Sequence, residues 1–157
     1  MIEQINNFIT VSMSYLWLNL GVLPFWIVLL FFPSSGVSKY MVRSIFPFMI
    51  FSFIYAYLLY YFFLTEFDFK NNFNLYLGLE LLSELFSETG FLIMFWCHFL
   101  AINLFCGAWI VSDSLKFSMS KFLVFFPLLI TYFIGPFGLF FYWLIRIFFA
   151  NKLSLYD

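Results

Sequence analysis

Two polar residues in an otherwise apolar stretch, His98 and Asn103, have side chains that could do chemistry. They lie in WCHFLAINLFCGAWI, residues 96–110. A histidine can give or take a proton near neutral pH, and an asparagine amide can donate a hydrogen bond. Residues five positions apart on a straight helix point about 140° apart, so one small ligand would not contact both side chains. We treat both as candidate catalytic residues, with an interhelical hydrogen bond as the alternative for each.

Other residues near this stretch and toward the C-terminus are candidates for helix contacts. Gly107 shares a helix face with Asn103 and would let another helix approach closely. Asp113 and Arg146 are expected to anchor span ends in water. A buried pair between them is the alternative, and four successive spans argue against it by placing the two at opposite membrane ends. The remaining members of this structural group are Trp109, Gly135, Pro136 and Gly138.

The composition calls for a lipid environment. Of the 157 residues, 65% are hydrophobic, 27% are aromatic and 10% are charged, and the mean hydropathy is +1.02. Soluble domains carry about 25% charged residues, and a domain this small buries only roughly two-thirds of the surface that its unfolded chain exposes. The excess apolar surface must therefore face a lipid bilayer. The net charge of −1 argues against nucleic acid as a partner, because nucleic acid needs a basic face.

Four apolar stretches predict an all-α fold, an integral membrane bundle of four transmembrane helices in a single domain, residues 1–157. About 20 apolar residues cross the ~30 Å hydrocarbon core, and the first three stretches match that length. The fourth is longer and contains Gly135-Pro136-Phe137-Gly138. We expect a kinked or tilted span there, with two half-spans as the alternative. The predicted spans are 15–32, 45–64, 91–111 and 122–149.

A short amphipathic helix at the membrane interface is predicted over residues 75–88, between spans two and three. Apolar residues recur near one face and glutamates on another: Leu75, Leu79, Leu82 and Phe86, against Glu80, Glu84 and Glu88. Three carboxylates could suggest a metal site, but no histidine or cysteine lies nearby in the sequence. A solvated helix face is the favoured interpretation, and no metal or cofactor is expected.

The count of basic residues gives a small preference for one orientation. Lys39, Arg43, Lys116 and Lys121 lie in the loops after spans one and three, and the opposite side carries Lys70, Arg146 and Lys152. Lysine and arginine are enriched in cytoplasmic loops. The margin of four against three places the first two loops in the cytoplasm and both termini outside it.

Three stretches in a fixed order resemble the abscisic-acid-deficient-four family of small multi-pass membrane proteins. They are NLGVLPFWIVLLFFP with KYMVRSIFPF, then LFSETG with FWCHFLAINLFCGAWIVSD, then IGPFGLFFYWLIR. The resemblance runs from about residue 17 to residue 146. It implies a role in plastids of plants in making neoxanthin from violaxanthin, and a bacterial inner membrane as the location of a bacterial-type member.

The chain departs from the family pattern at two positions. The family usually has an aspartate where this chain has Asn103, and an arginine where it has Ala108. Losing both charges together is expected of partners, since losing one alone would leave an uncompensated buried charge. His98 and Asp113 are retained. The departure puts in doubt whichever activity those two charges served.

Two classes of function follow. The resemblance implies isomerisation of an epoxy-carotenoid or similar polyene lipid, by general acid–base chemistry with His98 as the proton carrier and Asn103 as a hydrogen-bond donor. The alternative is a non-catalytic scaffold or accessory subunit that binds a membrane enzyme partner or forms a homo-oligomer. A transporter is less favoured, because the sequence has no internal repeat.

Overall fold

The computed structural model describes residues 11–62 and 76–150. Every regular element in these two ranges is helical, which confirms the all-α class. A π-helical turn, Ser38–Val42, precedes the second helix. The predicted polar segment 66–74 lies outside the described residues. The helices are α1 (Val11–Phe31), α2 (Phe46–Leu59), α3 (Leu79–Ser87), α4 (Thr89–Lys116), α5 (Lys121–Phe133) and α6 (Gly135–Ala150).

Three helical segments of the described chain are long and apolar enough to cross a membrane. They are Ser12–Phe31, Ser38–Phe62 and Thr89–Lys116, and they match the first three predicted spans. The last has 28 residues, which at 1.5 Å per residue gives a length of about 42 Å, more than a ~30 Å bilayer core requires. The length and composition of these helices are those of a membrane protein.

The predicted fourth span is not a single helix. The stretch is divided at Ile134 into α5, with 13 residues, and α6, with 16 residues. The N–H groups of Phe137 and Gly138 both donate to the Ile134 carbonyl, at 3.0 and 3.1 Å. A Cβ on Gly138 would lie 2.6 Å from the Thr131 Cα, so the chain reverses tightly here. The single kinked span is therefore wrong, and the stretch forms two separate short helices, because Pro136 cannot continue the helix and Gly138 lets α6 fold back onto α5.

The interfacial segment contains a helix that is shorter than predicted. α3 begins at Leu79, although the sequence pattern begins at Leu75, which lies outside the described residues. Leu79 is 80% exposed, and Leu85 is the buried side chain of this helix. Of the predicted apolar face, Leu82 and Phe86 are half-buried, and the Phe86 ring contacts the rings of Phe91 and Phe95 at 5.3 and 4.7 Å. The three glutamates are exposed, as a solvated face requires: Glu80, Glu84 and Glu88.

The chain divides into two compact units, which are described separately below. The first unit comprises Met1–Gly21 and Met49–Leu100, and the second comprises Val22–Phe48 and Ala101–Asp157. In the first unit, the Cys97 thiol donates to the Phe51 carbonyl at 3.9 Å. Gly90 lies against the ring of Phe62. Residues later in the second span lie beside residues earlier in α4, so α2 and α4 are antiparallel.

In the second unit, the end of α1 packs against α5. The rings of Trp26 and Tyr132 lie 5.3 Å apart, and those of Phe31 and Phe125 lie 6.0 Å apart. The later residue of α1 contacts the earlier residue of α5, so the two helices are antiparallel. Between α4 and α5 the chain reverses through Ser118, whose φ of 50° is in the left-handed region. The end of α1 and the end of α4 therefore both lie near the start of α5.

Candidate functional site

Three buried side chains of the second unit form a polar cluster: Asp113, Tyr142 and Arg146. The Arg146 Nε donates to Asp113 Oδ2 at 2.6 Å, and its Nη2 lies 3.4 Å from Oδ1. The Tyr142 hydroxyl donates to Oδ2 at 2.7 Å. The carboxylate is thus bound by one full positive charge and one neutral donor, as a buried carboxylate needs to be.

The cluster forms because α6 runs parallel to α4 with matching helical faces. Tyr142 and Arg146 are four residues apart on α6, and Trp109 and Asp113 are four apart on α4, so each pair lies on one face. The Trp109 ring meets the Tyr142 ring edge-on at 5.7 Å. The Arg146 guanidinium carbon lies 5.2 Å from the centre of the Phe117 ring. Aromatic rings thereby cover both ends of the polar cluster.

The position of Asp113 and Arg146 corrects the sequence prediction. Placing them at opposite membrane ends is wrong, because the hairpin of α5 and α6 brings residue 146 back to the end of α4 where residue 113 lies. They are also not water-exposed anchors, since each is only 4% exposed. The buried pair, which the predicted topology disfavoured, is the observed arrangement.

Both oxygens of the Asp113 carboxylate are used within the cluster. Asp113 accepts hydrogen bonds from Arg146 and Tyr142. Removing one partner of a buried ion pair typically destabilises a protein by about 3–5 kcal/mol, because the other charge is left without compensation. The cluster therefore joins α6 to α4 and offers no free acid or base.

Asn103 differs from this cluster, because its amide nitrogen makes no hydrogen bond to any described residue. The residue is 3% exposed, and its Nδ2 has no hydrogen-bond partner among the described residues. Its Oδ1 lies against Gly135, the first residue of α6, where a Cβ would overlap it. Asn103 stands near the middle of α4, so the tip of the α5–α6 hairpin reaches mid-helix. The amide oxygen of Asn103 thus faces the first residue of α6, while its nitrogen has no partner among the described residues.

Gly107 and Ala108 are consecutive small residues of α4 that are both buried. A Cβ on Gly107 would lie 2.7 Å from Trp26 Cη2, so the absence of a side chain allows this indole to approach. Ala108, at the position where the family usually has arginine, is 6% exposed. A long cationic side chain would have no room there without displacing its neighbours.

His98 lies on an exposed face of α4 in the first unit. Its ring centre is 6.3 Å from that of Tyr55, in a tilted arrangement. Among the described residues it has no hydrogen bond and no ionic partner. The structure therefore shows no interhelical hydrogen bond of His98, and its catalytic role stays a prediction.

The glutamates of α3 do not form a metal site in this structure. Within residues 11–62 and 76–150, no group of three or more histidine, cysteine, aspartate or glutamate side chains could hold a metal ion. The Gly-Pro-Phe-Gly motif has a structural role instead: Gly135 and Gly138 are buried, and Pro136 is exposed at the hairpin tip.

Tyr142 and Trp26 are the site residues that sequence reasoning missed. Tyr142 lies one helical turn before Arg146, and this spacing would have identified it if α6 had been recognised as a separate helix. Trp26 lies within an evenly apolar helix, where no pattern distinguishes it from its neighbours. Only the close approach at Gly107 identifies it.

A comparison with protein families gives one match. The model of the ABA-deficient-4-like family matches residues 13–142, which is most of the chain. No curated protein and no solved structure matches the sequence.

Proposed function

Because the chain belongs to the ABA-deficient-4-like family, we propose that it binds an epoxy-carotenoid or similar polyene lipid and isomerises it within the membrane. The observation that carries this proposal is the unpaired amide nitrogen of Asn103 beside Gly135. A buried donor without a partner costs about 1–3 kcal/mol. An acceptor oxygen of a bound molecule would recover that free energy, whereas a hydrocarbon tail would not.

The reaction is an isomerisation with no external reactant. An epoxide C–O bond breaks, a proton leaves a neighbouring carbon, a new double bond forms, and the oxygen takes up a proton. Negative charge develops on the epoxide oxygen as the bond breaks. The Asn103 amide and the positive end of the α6 dipole would stabilise that charge, as half-helix N-termini do for anionic groups in other membrane proteins.

His98 is a separate candidate for the proton carrier: it does not share a helix face with Asn103, so its role is tested independently. It is the one histidine of the chain, and its exposed position on α4 makes it reachable from lipid. Asp113 is a weaker candidate, because both of its oxygens already accept bonds from Arg146, and Oδ2 accepts a further one from Tyr142.

The proposal is tested by expressing the chain in a host that makes violaxanthin and separating the pigments by chromatography. We expect a new isomer with the wild type and its loss with Asn103→Leu, which is close in size but cannot donate. Asn19→Leu is the matched control, because Asn19 is half-buried and its amide donates to the Tyr15 carbonyl at 2.7 Å within its own helix. Membrane levels of each variant are measured in parallel.

The variants test the roles of Asn103 and His98 separately. Loss of the isomer in Asn103→Leu with retention in Asn19→Leu supports the proposal. An unchanged pigment profile with the wild type contradicts it. If His98→Phe retains full turnover, His98 is not the proton carrier.

The closed polar cluster favours a second candidate function, that of a non-catalytic accessory subunit. Asp113, Tyr142 and Arg146 satisfy one another and leave no free proton carrier. In that case the wild type changes no pigment by itself. It would raise the yield of a co-expressed carotenoid enzyme, and Asn103→Leu would do so equally well.

A further inference from the structure

Four positive charges of the second unit have no negative partner among the described residues. The described part of this unit contains five basic residues and one acidic residue, Asp113, which is bound by Arg146. None of the remaining four basic side chains has an ion pair within residues 11–62 and 76–150. These four form what we call the basic surface: Lys39, Arg43, Lys116 and Lys121.

The path of the chain brings the basic surface together at one end of the unit. Its first two members follow the end of α1, where the Phe31 ring lies 6.0 Å from that of Phe125 near the start of α5. Lys116 is the last residue of α4, and Lys121 is the first residue of α5. Because α1 and α4 are long enough to span a membrane, charges at their ends lie at the level of the lipid headgroups.

Arg43 is held in a fixed orientation while its terminal nitrogens have no partner. Its backbone N–H donates to the Ser38 carbonyl at 2.8 Å, and its Nε donates to the Ser38 hydroxyl at 3.1 Å. Ser38 is buried, and its own N–H donates to the Ser35 hydroxyl oxygen at 3.1 Å. No described residue accepts a hydrogen bond from Nη1 or Nη2 of Arg43. Two parallel N–H donors of a guanidinium match two oxygens of a phosphate group.

Exposed aromatic side chains lie beside these charges in the sequence. Tyr40 and Phe122 are 72% and 83% exposed. The Lys39 Nζ lies 5.2 Å from the centre of the Tyr40 ring. Rings at this level of a membrane protein lie between headgroups and acyl chains. They would contact the acyl chains of a bound lipid, whereas a soluble phosphate would leave them in water.

We propose that the basic surface binds the phosphate of an anionic phospholipid, with the Arg43 guanidinium as the principal donor. The proposal does not rest on the isomerisation proposed above, because it concerns other residues and a lipid headgroup. A zwitterionic headgroup carries its own cation, which the unpaired positive charges repel. A headgroup with a net negative charge is attracted by all of them, which raises its affinity roughly fivefold for each nearby charge.

The test compares two lipids on the purified full chain in a non-ionic detergent, by native mass spectrometry. Phosphatidylglycerol and phosphatidylcholine with identical acyl chains are titrated, and glycerol phosphate is added as a competing free headgroup. We expect saturable binding of phosphatidylglycerol, roughly tenfold tighter than that of phosphatidylcholine, and weaker binding as salt is raised. Glycerol phosphate at the same concentration should not displace the lipid, because it has no acyl chains.

Two substitutions at Arg43 separate its charge from its geometry. Arg43→Gln should weaken the binding of phosphatidylglycerol about fivefold or more. Arg43→Lys should give a smaller loss, since it keeps the charge but not the planar fork. Lys70→Gln is the matched control, because it removes the same charge from a position outside the basic surface.

A second variant covers the case in which Arg43→Gln does not fold, as judged by thermal unfolding. Lys116→Gln/Lys121→Gln changes two exposed side chains, and we expect it to weaken binding roughly tenfold or more. Equal affinity for the two lipids would overturn the proposal. So would an equal effect of Lys70→Gln and the basic-surface variants, or displacement of the lipid by glycerol phosphate, which would indicate a site for a soluble phosphate.

Discussion

At the scale of residues, the second unit contains polar groups in two different states. Asp113 is bound by both Arg146 and Tyr142, while Asn103 keeps an unpaired amide nitrogen. Both are buried to a similar degree, at 4% and 3% exposure. Burial therefore does not distinguish Asp113 from Asn103. The presence or absence of a partner does.

The buried ion pair predicts a non-additive response to mutation. Arg146→Leu should destabilise the protein by about 3–5 kcal/mol, because it leaves the Asp113 carboxylate buried without a counter-charge. Asp113→Leu should have an effect of similar size. The double variant should recover much of the loss, since replacing both charges by apolar groups is often nearly neutral. Thermal unfolding in detergent measures all three, and strictly additive losses would argue against a coupled pair.

Tyr142 gives a smaller effect at the same site. Tyr142→Phe removes one hydrogen bond to a charged group, which typically contributes about 1.5–3 kcal/mol. The Trp109 ring contact is kept by the phenylalanine ring. We expect a lowered unfolding temperature with an unchanged oligomeric state by size-exclusion chromatography. No change in unfolding temperature would show that the hydroxyl is dispensable to the cluster.

At the scale of elements, the hairpin of α5 and α6 is the feature that places the site. Its reversal depends on Gly138, which lies against the backbone of Thr131. Gly138→Ala should therefore destabilise the hairpin strongly, because a rigid backbone, unlike a flexible side chain, cannot yield to the added methyl group. Gly21→Ala is the control, since no atom lies within 4 Å of a Cβ there, and alanine favours the helix by about 1 kcal/mol. Equal unfolding temperatures for the two variants would contradict the tight reversal.

The sequence predicted the elements better than it predicted their contacts. The first three spans could be predicted because unbroken apolar runs of about 20 residues have few other solutions. Gly135 and Pro136 predicted a break in the fourth apolar stretch. A kinked helix and a reversal of the chain both need such residues, so the sequence could not distinguish them. The close approach of Gly138 to Thr131 shows the reversal. The error at this one point also displaced Arg146 to the wrong membrane end. Asn103 was selected from its polarity alone, and its unpaired amide could not be predicted without the neighbouring helix.

At the scale of the whole molecule, the hairpin changes the distribution of charge. In the second unit, the end of α1 meets the start of α5, and the end of α4 meets the later part of α6. The basic residues of this unit that the structure describes therefore gather at one end: Lys39, Arg43, Lys116, Lys121 and Arg146. Five basic residues at one end are a stronger positive-inside signal than the margin of four against three that the sequence suggested.

This distribution predicts that the turn after α4 and the end of α6 both face the cytoplasm. Single cysteines are placed at Ser118 and Ala150 and labelled with a membrane-impermeant maleimide in intact and inverted membranes. Glu88→Cys serves as the reference for the other side, because it precedes the first residue of α4. The wild type controls for the native thiols, Cys97 and Cys106, neither of which is exposed.

Ser118→Cys and Ala150→Cys should react only in inverted membranes, and Glu88→Cys should react only in intact ones. A single fourth span would instead make Ala150→Cys react together with Glu88→Cys. That result would also separate Asp113 from Arg146 by the thickness of the bilayer, which their 2.6 Å contact does not allow. The labelling pattern therefore tests the hairpin and, through it, the ion pair between Asp113 and Arg146 in one experiment.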